Sequence, residues 1–112
     1  MVESNTLDNI FMALSDSTRR NILTQVAQAE MSIGEIARHY QMSLAAVSKH
    51  IQVLERATLI TKRRRGKEQV VVIVPETLGV AREQIEHYAT MWQQRFDQLD
   101  AVLAGMQTNK EK

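Results

Sequence analysis

The segment that decides the fold is SLAAVSKHIQVLERA (residues 43–57), which is followed two residues later by ITKRRRGKEQVVVIV (residues 60–74). The first stretch opens with Ser43, a favourable N-cap residue, and then places apolar residues at helical spacing. The second contains two β-prone runs joined at residues 65–68, where Gly66 can adopt a positive φ. The sequence therefore predicts a capped helix that leads directly into a basic β-hairpin.

The predicted helix has two different faces. At 100° per residue, Val47, Ile51 and Leu54 fall within about 60° of one another and predict the buried face, with Leu44 at its border. The opposite face is small and polar, which suits close approach to base edges in a DNA groove, although a plain solvent-facing surface is the alternative. The candidate DNA-binding residues of this segment are Ser43, Ala45, Ser48, Lys49, Gln52 and Arg56, with His50 at the edge of the core face as a packing or phosphate-contacting residue.

Positive charge is concentrated in the predicted hairpin. Cations of this kind neutralise phosphates and supply salt-dependent affinity, while a neighbouring helix reads sequence. The alternative is a solvent-exposed turn whose charges only aid solubility. Three consecutive arginines beside a helix that can enter a DNA groove favour phosphate contact instead. Residues 70–74 are apolar on both faces of the second strand, so one face is expected to pack on the helices and the other on a neighbouring segment. The candidate phosphate contacts of the hairpin are Arg63, Arg64, Arg65 and Lys67, with Lys62 at its base.

Two helices are predicted at the start of the chain. Apolar residues at three- and four-residue steps predict an amphipathic helix over residues 7–14. Ser15 or Asp16 can cap a second helix over residues 16–29. Basic residues in the first turn of that helix oppose its macrodipole, so a buried partner or DNA must favour them. These residues are Arg19 and Arg20.

A helix-turn-helix is predicted over residues 32–57. Ser32 and Glu35 have the spacing of a capping box, in which the serine hydroxyl and the glutamate carboxylate each bind the other residue's backbone N–H. A short helix follows, and Ser43 caps the next one after a brief turn. Two short helices joined by so few residues must cross steeply, as in DNA-binding helix-turn-helix proteins.

The predicted last helix, residues 76–106, carries an apolar seam from Leu78 to Met106 whose mean period is close to the 3.5 of a coiled coil. A helix on the order of 40 Å long would expose this aromatic-rich stripe in a monomer. A homodimer that buries it together with the first helix is therefore expected, with part of the seam belonging to the intrachain core. The predicted interface residues are Leu7, Phe11, Ile85, Tyr88, Trp92, Phe96, Leu99 and Leu103.

Composition narrows the class of protein. The chain has 112 residues, no cysteine and a formal net charge of +1, which predicts a single domain over residues 1–112 without disulfides or thiolate metal sites. Residues 43–74 carry seven basic and two acidic residues, so the positive charge is local and favours a polyanion bound on one face. No leader and no apolar run of roughly 20 residues is present, which predicts a cytoplasmic protein without a membrane segment.

The sequence resembles the arsenical-resistance-type repressors, the ArsR family of winged helix-turn-helix transcription factors. ALSDSTRRNIL (residues 13–23) is similar to the family's opening motif, and SLAAVSKHIQVLERATLI (residues 43–60) is similar to its recognition helix and exit. The resemblance covers nearly the whole chain. It implies a mainly α fold with a small β-hairpin wing (α+β) and a long C-terminal dimerisation helix. It also implies a dimer whose two recognition helices enter successive major grooves of an inverted repeat, and repression released by a signal.

The chain departs from the family pattern at the positions that bind metal in its metal sensors. Some sensors use cysteines near the third helix, and this chain has none. Others use histidine and carboxylate pairs between last helices, of which Glu83 and His87 are a two-ligand fragment that is more often a solvated pair. Ser17 also stands where relatives commonly carry proline. The closer likeness is to the metal-independent subset, so no metal and no cofactor are expected, and the sequence identifies no effector.

The expected function is sequence-specific binding of double-stranded DNA by a homodimeric repressor of an inverted-repeat operator. One alternative is a protein-interaction module that uses the seam of the last helix. Another is a metal-responsive repressor with a site at Glu83 and His87. An enzyme is disfavoured because Ser43 is needed as a cap, while Ser48 and His50 point about 160° apart on one helix.

Overall fold

The structure is a computed structural model that describes residues 4–110, with side chains described for residues 5–107. The chain divides into two compact units, one up to Ala81 and one from Arg82 onward, and the last helix contributes to both. The mainly α fold with a small β wing is confirmed. In the described part of the chain the elements are α1 (Ser4–Leu14), α2 (Ser17–Gln28), β1 (Met31–Ser32), α3 (Ile33–Tyr40), α4 (Leu44–Arg56), β2 (Ile60–Arg65), β3 (Glu68–Ile73) and α5 (Pro75–Lys110).

The first unit is built around one apolar core to which α1, α2, α3 and α4 each contribute buried residues. On α4, Val47, Ile51 and Leu54 are almost completely buried, which confirms the predicted core face. Leu44 does not border this core, because it is 60% exposed. It is the first residue of α4, and the buried stripe begins one turn later at Val47.

Three helices begin at the predicted kinds of cap. Asp16, rather than Ser15, caps α2 by accepting a hydrogen bond from the Arg19 N–H at 3.0 Å. Ser32 and Glu35 form the full capping box, with the Ser32 hydroxyl accepting from the Glu35 N–H at 3.1 Å and the Glu35 carboxylate accepting from the Ser32 N–H at 3.4 Å. Ser43 caps α4 through the N–H of Ala46 at 3.1 Å. Each cap satisfies backbone donors that a helix start otherwise leaves unpaired.

The exit from α4 bends through a residue with left-handed backbone geometry. Thr58 has a φ of 61°, which a β-branched residue rarely adopts. The Thr58 N–H donates to Glu55 O at 2.9 Å and the Leu59 N–H donates to Leu54 O at 3.0 Å, which is the Schellman pattern of helix ends. The Thr77 hydroxyl donates to the Thr58 carbonyl. The turn from α4 into β2 is thus held by the start of α5.

The sheet has three antiparallel strands in the order β1-β3-β2. The hairpin turn is tighter than predicted: Arg65 pairs with Glu68, so that Gly66 and Lys67 form a two-residue turn in which Gly66 has a φ of 62°. Positive φ at the first central position is what type II′ hairpin turns require. The short strand β1 was not predicted. It pairs with the far edge of β3, which makes β3 the central strand.

The second unit is the helical segment of α5 that follows Arg82. Ala81, at the end of the first unit, is only 3% exposed and belongs to the core, as expected for part of the seam. From Ile85 onward every large apolar side chain described on α5 is exposed by about half of its surface or more. None of the described helices is both long enough and apolar enough to cross a membrane.

Candidate nucleic-acid interface

The outer face of α4 presents most of the helix residues predicted to bind DNA. Ala45, Lys49, Gln52 and Arg56 are exposed, and Ser48 is half-buried on the flank of the same face. Ser43 lies at the N-terminal end, where its hydroxyl is occupied as the cap. The helix therefore brings small and hydrogen-bonding side chains together over about three turns.

His50 lies apart from this face. Its Nδ1 atom is 3.5 Å from the Arg19 Nη1 atom and 3.9 Å from the Asp16 Oδ2 atom, so the ring is turned toward the start of α2. The side chain is 21% exposed. Every buried side-chain nitrogen or oxygen in the described chain has a hydrogen-bond partner. Because His50 Nε2 has no such partner, this atom is not buried and reaches solvent. The exposed Nε2 atom is the part of His50 that can meet a phosphate.

Arg19 and Arg20 do not need DNA to favour their place at the start of α2. Arg19 donates to Ala13 O at 2.9 Å and to Met12 O at 3.0 Å, and Arg20 donates to Leu14 O at 2.7 Å. These carbonyls are at the C-terminal end of α1, where the helix dipole favours positive charge. The sequence required a partner for Arg19 and Arg20, and that partner is the C-terminal end of α1.

Four carboxylates bind cations of the wing, the hairpin of β2 and β3. Three of them lie outside the hairpin, and Glu68 lies within it, 3.3 Å from Arg65 Nη2. Arg63 Nη2 is 2.6 Å and 2.7 Å from the two carboxylate oxygens of Glu30. Arg65 Nη2 is 3.1 Å from Glu35 Oε1, which is also the carboxylate of the capping box. On the other face of β2, Lys62 lies 3.2 Å from Glu55 of α4. These contacts tie the wing to both ends of the helix-turn-helix.

Two of the predicted phosphate contacts in the wing have no carboxylate partner in the described chain. Arg64 donates through Nε to the Gly66 carbonyl at 3.1 Å, and Lys67 is exposed in the turn. Arg64 shares the face of β2 that Lys62 turns toward α4, because alternate strand residues lie on the same side. Sequence patterns could not separate these two cations from Arg63 and Arg65, because the contacts of Arg63 with Glu30 and of Arg65 with Glu35 span 33 and 30 residues.

The contact between the wing and α3 affects the ionisation of Glu35. The Ser32 backbone N–H, the Ser32 hydroxyl and the nearby Arg65 guanidinium together hold the pKa of Glu35 below its ordinary value, against a smaller opposing effect of desolvation. At the start of α2, the hydrogen bond from the Arg19 N–H is the largest cause that lowers the pKa of Asp16. Both carboxylates are therefore more strongly held in their charged form in the folded protein.

The predicted interface residues divide between the two units. In the first unit Leu7 is half-buried and Phe11 is 38% exposed on α1. On α5 all six predicted residues from Ile85 to Leu103 are exposed. Met91 and Val102 are also exposed there, so the apolar surface is broader than the predicted seam.

Glu83 and His87 gain no third ligand from the described chain. Among its residues, no three histidine, cysteine, aspartate or glutamate side chains lie close enough together to hold a metal ion. The pair stays a two-ligand fragment on the surface of one helix.

The amino-acid sequence is similar to those of known DNA-binding regulators. The helix-turn-helix domain family matches residues 14–63. The HTH-type transcriptional regulator Rv2034 of Mycobacterium tuberculosis is 35% identical over 83 residues, which cover 74% of this chain and 78% of that protein. The transcriptional repressor SdpR of Bacillus subtilis is 38% identical over 61 residues, which cover 54% of this chain and 68% of that protein. Both of these relatives are named as regulators of transcription.

Solved structures share the fold. The ArsR-like transcriptional regulator from Rhodococcus sp. RHA1 superimposes with a TM-score of 0.78 at 26% identity, covering 88% of this chain and 92% of that chain. The homodimeric winged helix-turn-helix DNA-binding domain of Mb0332 from Mycobacterium bovis, a possible ArsR-family regulator, superimposes with a TM-score of 0.63 at 25% identity. That match covers 77% of this chain and 80% of that chain.

Neutralising Glu35 should flatten the acid dependence of stability. Its pKa is lower in the folded than in the unfolded chain, so its contribution is complete above the unfolded pKa and is lost as the pH falls through the folded pKa. We expect the free energy of unfolding, from urea denaturation, to fall less between about pH 6 and about pH 3 in Glu35→Gln than in wild type. Glu76→Gln, at an exposed glutamate without a side-chain hydrogen bond in the described chain, is the control. Equal losses in Glu35→Gln and wild type would contradict the depressed pKa.

Proposed function

Because this chain belongs to the ArsR family of winged helix-turn-helix transcriptional regulators, we propose that it works as a homodimer that represses transcription from an inverted-repeat operator. The observation that carries the proposal is the outer face of α4 lying beside a hairpin with two cations, Arg64 and Lys67, that no described carboxylate neutralises. The similar protein of Bacillus subtilis is a transcriptional repressor, and the similar domain of Mycobacterium bovis is homodimeric. A regulator of this kind acts on DNA, so its proposed location is the cytoplasm.

In the proposed complex α4 enters the major groove and recognises bases. The Gln52 amide can bind adenine through two hydrogen bonds, and the Lys49 ammonium can donate to guanine. Ala45 and Ser48 are small, which lets the helix backbone come close to the base edges. Arg56 is one turn beyond Gln52, and we assign phosphate contacts to it and to His50 Nε2. The role of Ser43 is to fix the start of the helix and to bring backbone N–H groups toward the DNA.

The wing contributes phosphate contacts through a subset of its cations. Arg64 and Lys67 are free to bind phosphate, whereas Arg63 and Arg65 are already bound to Glu30 and Glu35. We assign Arg65 the role of holding the wing to α3, and Arg63 the role of holding it to the residue before β1. This assignment narrows the sequence-based expectation, in which all three arginines contact phosphate.

The proposed dimer buries the exposed apolar surface of α5 against a second copy, with Leu7 and Phe11 of α1 as further contacts. Large contiguous apolar surfaces of this kind mark association sites in soluble proteins. A second copy is the simplest partner because a twofold axis pairs the same patch with itself. The same axis relates two α4 helices, so the operator is expected to contain two half-sites about one helical turn apart. No metal and no cofactor enter this proposal.

Removing the two free wing cations should weaken binding to any DNA. We expect Arg64→Ala with Lys67→Ala to lower affinity for a random-sequence duplex and to reduce the slope of log affinity against log salt by about 0.9 for each lost phosphate contact. The matched control is the double variant Arg63→Ala with Arg65→Ala. It removes the same amount of positive charge, but from two arginines that are bound to carboxylates. Fluorescence anisotropy over a salt series measures both. Equal slopes for the two double variants would refute the division of the wing into free and bound cations.

Shortening the base-contacting side chains of α4 should relax sequence preference. For Gln52→Ala or Lys49→Ala we expect a loss of about 1–3 kcal/mol of discrimination at one base pair per half-site. Selection of duplexes from a random pool, followed by sequencing, gives the preference of each variant. Gln28→Ala, an exposed glutamine at the end of α2, is the control. An unchanged preference in both α4 variants would place base recognition elsewhere.

A charge in the α5 surface should separate the protomers. Phe96→Glu would place an unpaired carboxylate in the proposed interface, and we expect the dimer dissociation constant to rise by roughly 100-fold or more. Gln94→Glu adds the same charge on the opposite side of the helix and should leave the dimer intact. Sedimentation equilibrium measures both variants. A Phe96→Glu protein that dimerises as well as wild type would exclude this surface as the interface.

A further inference from the structure

Leu44 is exposed where no intrachain or dimer contact explains it. Among the described residues, every exposed large hydrophobic side chain lies in α1 or α5 except Leu44, which is 60% exposed. Apart from Met12, the exposed residues of α1 and α5 belong to the proposed dimer surface. Leu44 lies in α4, outside that surface, and its exposure leaves an apolar side chain available to a different partner.

Its place on α4 puts Leu44 beside the base-contacting residues. At 100° per residue, Leu44 lies about 20° from the buried Ile51 and about 40° from Ser48, on the flank between the core face and the outer face of α4. Lys49 lies on the other side of Gln52. Leu44 is also the first residue of the helix, and the N-terminal residues of a recognition helix are those that reach base edges. Leu44 therefore borders the outer face of α4 on the side opposite Lys49.

The surface around Leu44 is a shallow open depression of about 380 Å³ between α3 and α4. Leu44, Met42 and Ala37 supply apolar walls, and Arg38 is exposed at the rim. Arg38 has no ion-pair partner within the described chain, so its guanidinium is available to an anion. An apolar wall next to a free cation suits a nucleotide that offers an apolar group beside its phosphate.

We propose that Leu44 recognises a thymine, through contact of its side chain with the C5 methyl group in the major groove, while Arg38 can bind the adjacent backbone phosphate. This inference rests on the proposed DNA binding, and it requires thymine as the base that Leu44 contacts. The methyl group of thymine is the apolar group on the major-groove edge of the base pairs. Donors and acceptors of other bases would be left unpaired against leucine, which disfavours them.

The test removes only the methyl group. Duplexes selected by the wild-type protein from a random pool give the operator, and deoxyuridine then replaces thymidine at each position in turn. We expect one thymine per half-site at which this replacement weakens wild-type binding about fourfold, or about 15-fold when both half-sites are changed. The Leu44→Ala protein should bind the thymine operator more weakly than wild type by the same factor. Its affinity should not change when uracil replaces thymine at that position.

Matched variants separate this role from others. Leu44→Met keeps an apolar side chain and should keep the response to uracil, and Lys49→Ala should keep it as well. If wild type tolerates uracil at every position, or if Leu44→Ala still responds to it, the inference is wrong. The inference would also be wrong if Leu44→Ala weakened binding to random-sequence DNA as much as binding to the operator, since a methyl contact at one site cannot affect all sequences. If wild type selects no duplex at all, the proposed function fails instead.

Discussion

The capping box of Ser32 and Glu35 is the connection on which the geometry of the site depends. Ser32 is 2% exposed, ends β1 opposite Val70 of β3, and caps α3. The Glu35 carboxylate that completes the box also accepts a hydrogen bond from Arg65 of the wing. One short sequence thus joins the sheet, the first helix of the helix-turn-helix and the hairpin. Because the box contains two reciprocal hydrogen bonds, the orientation of α3 and the position of the wing are set together.

The ion pairs of the wing decide which charges are available to a ligand. Pairs between exposed groups stabilise a fold little, since water and salt screen them. Their effect here is on availability, because Glu30, Glu35 and Glu55 bind three of the basic side chains of β2. The basic segment that looks strongly cationic in the sequence is closer to balanced in the structure. The wing of a single protomer therefore has two cations without a carboxylate partner in the described chain, Arg64 and Lys67, with which to bind DNA by charge alone.

Local features could be predicted from the sequence, and non-local ones could not. The caps at Ser32 and Ser43 were predictable because each serine and the N–H that it binds lie three residues apart. β1 was missed because two residues carry no periodic signal, and their partners in β3 lie far along the chain. The ion pairs of Arg63 with Glu30 and of Arg65 with Glu35 were missed because these partners are also far apart in sequence. Periodicity identified the buried face of α4 but not where the core ends, so Leu44 was placed at its border.

Periodicity also failed to show where burial ends on the last helix. Its apolar seam is regular from Leu78 to Met106, but Ala81 alone among the seam residues is buried. In the proposed dimer the exposed remainder has a functional consequence. Adding free cations to a monomer would raise affinity for every DNA sequence alike. Linking two protomers instead makes the second half-site contact intramolecular, which raises affinity only where two half-sites have the right spacing. An apolar seam joined to a partly neutralised wing therefore favours specific over non-specific binding, which a more basic hairpin could not do.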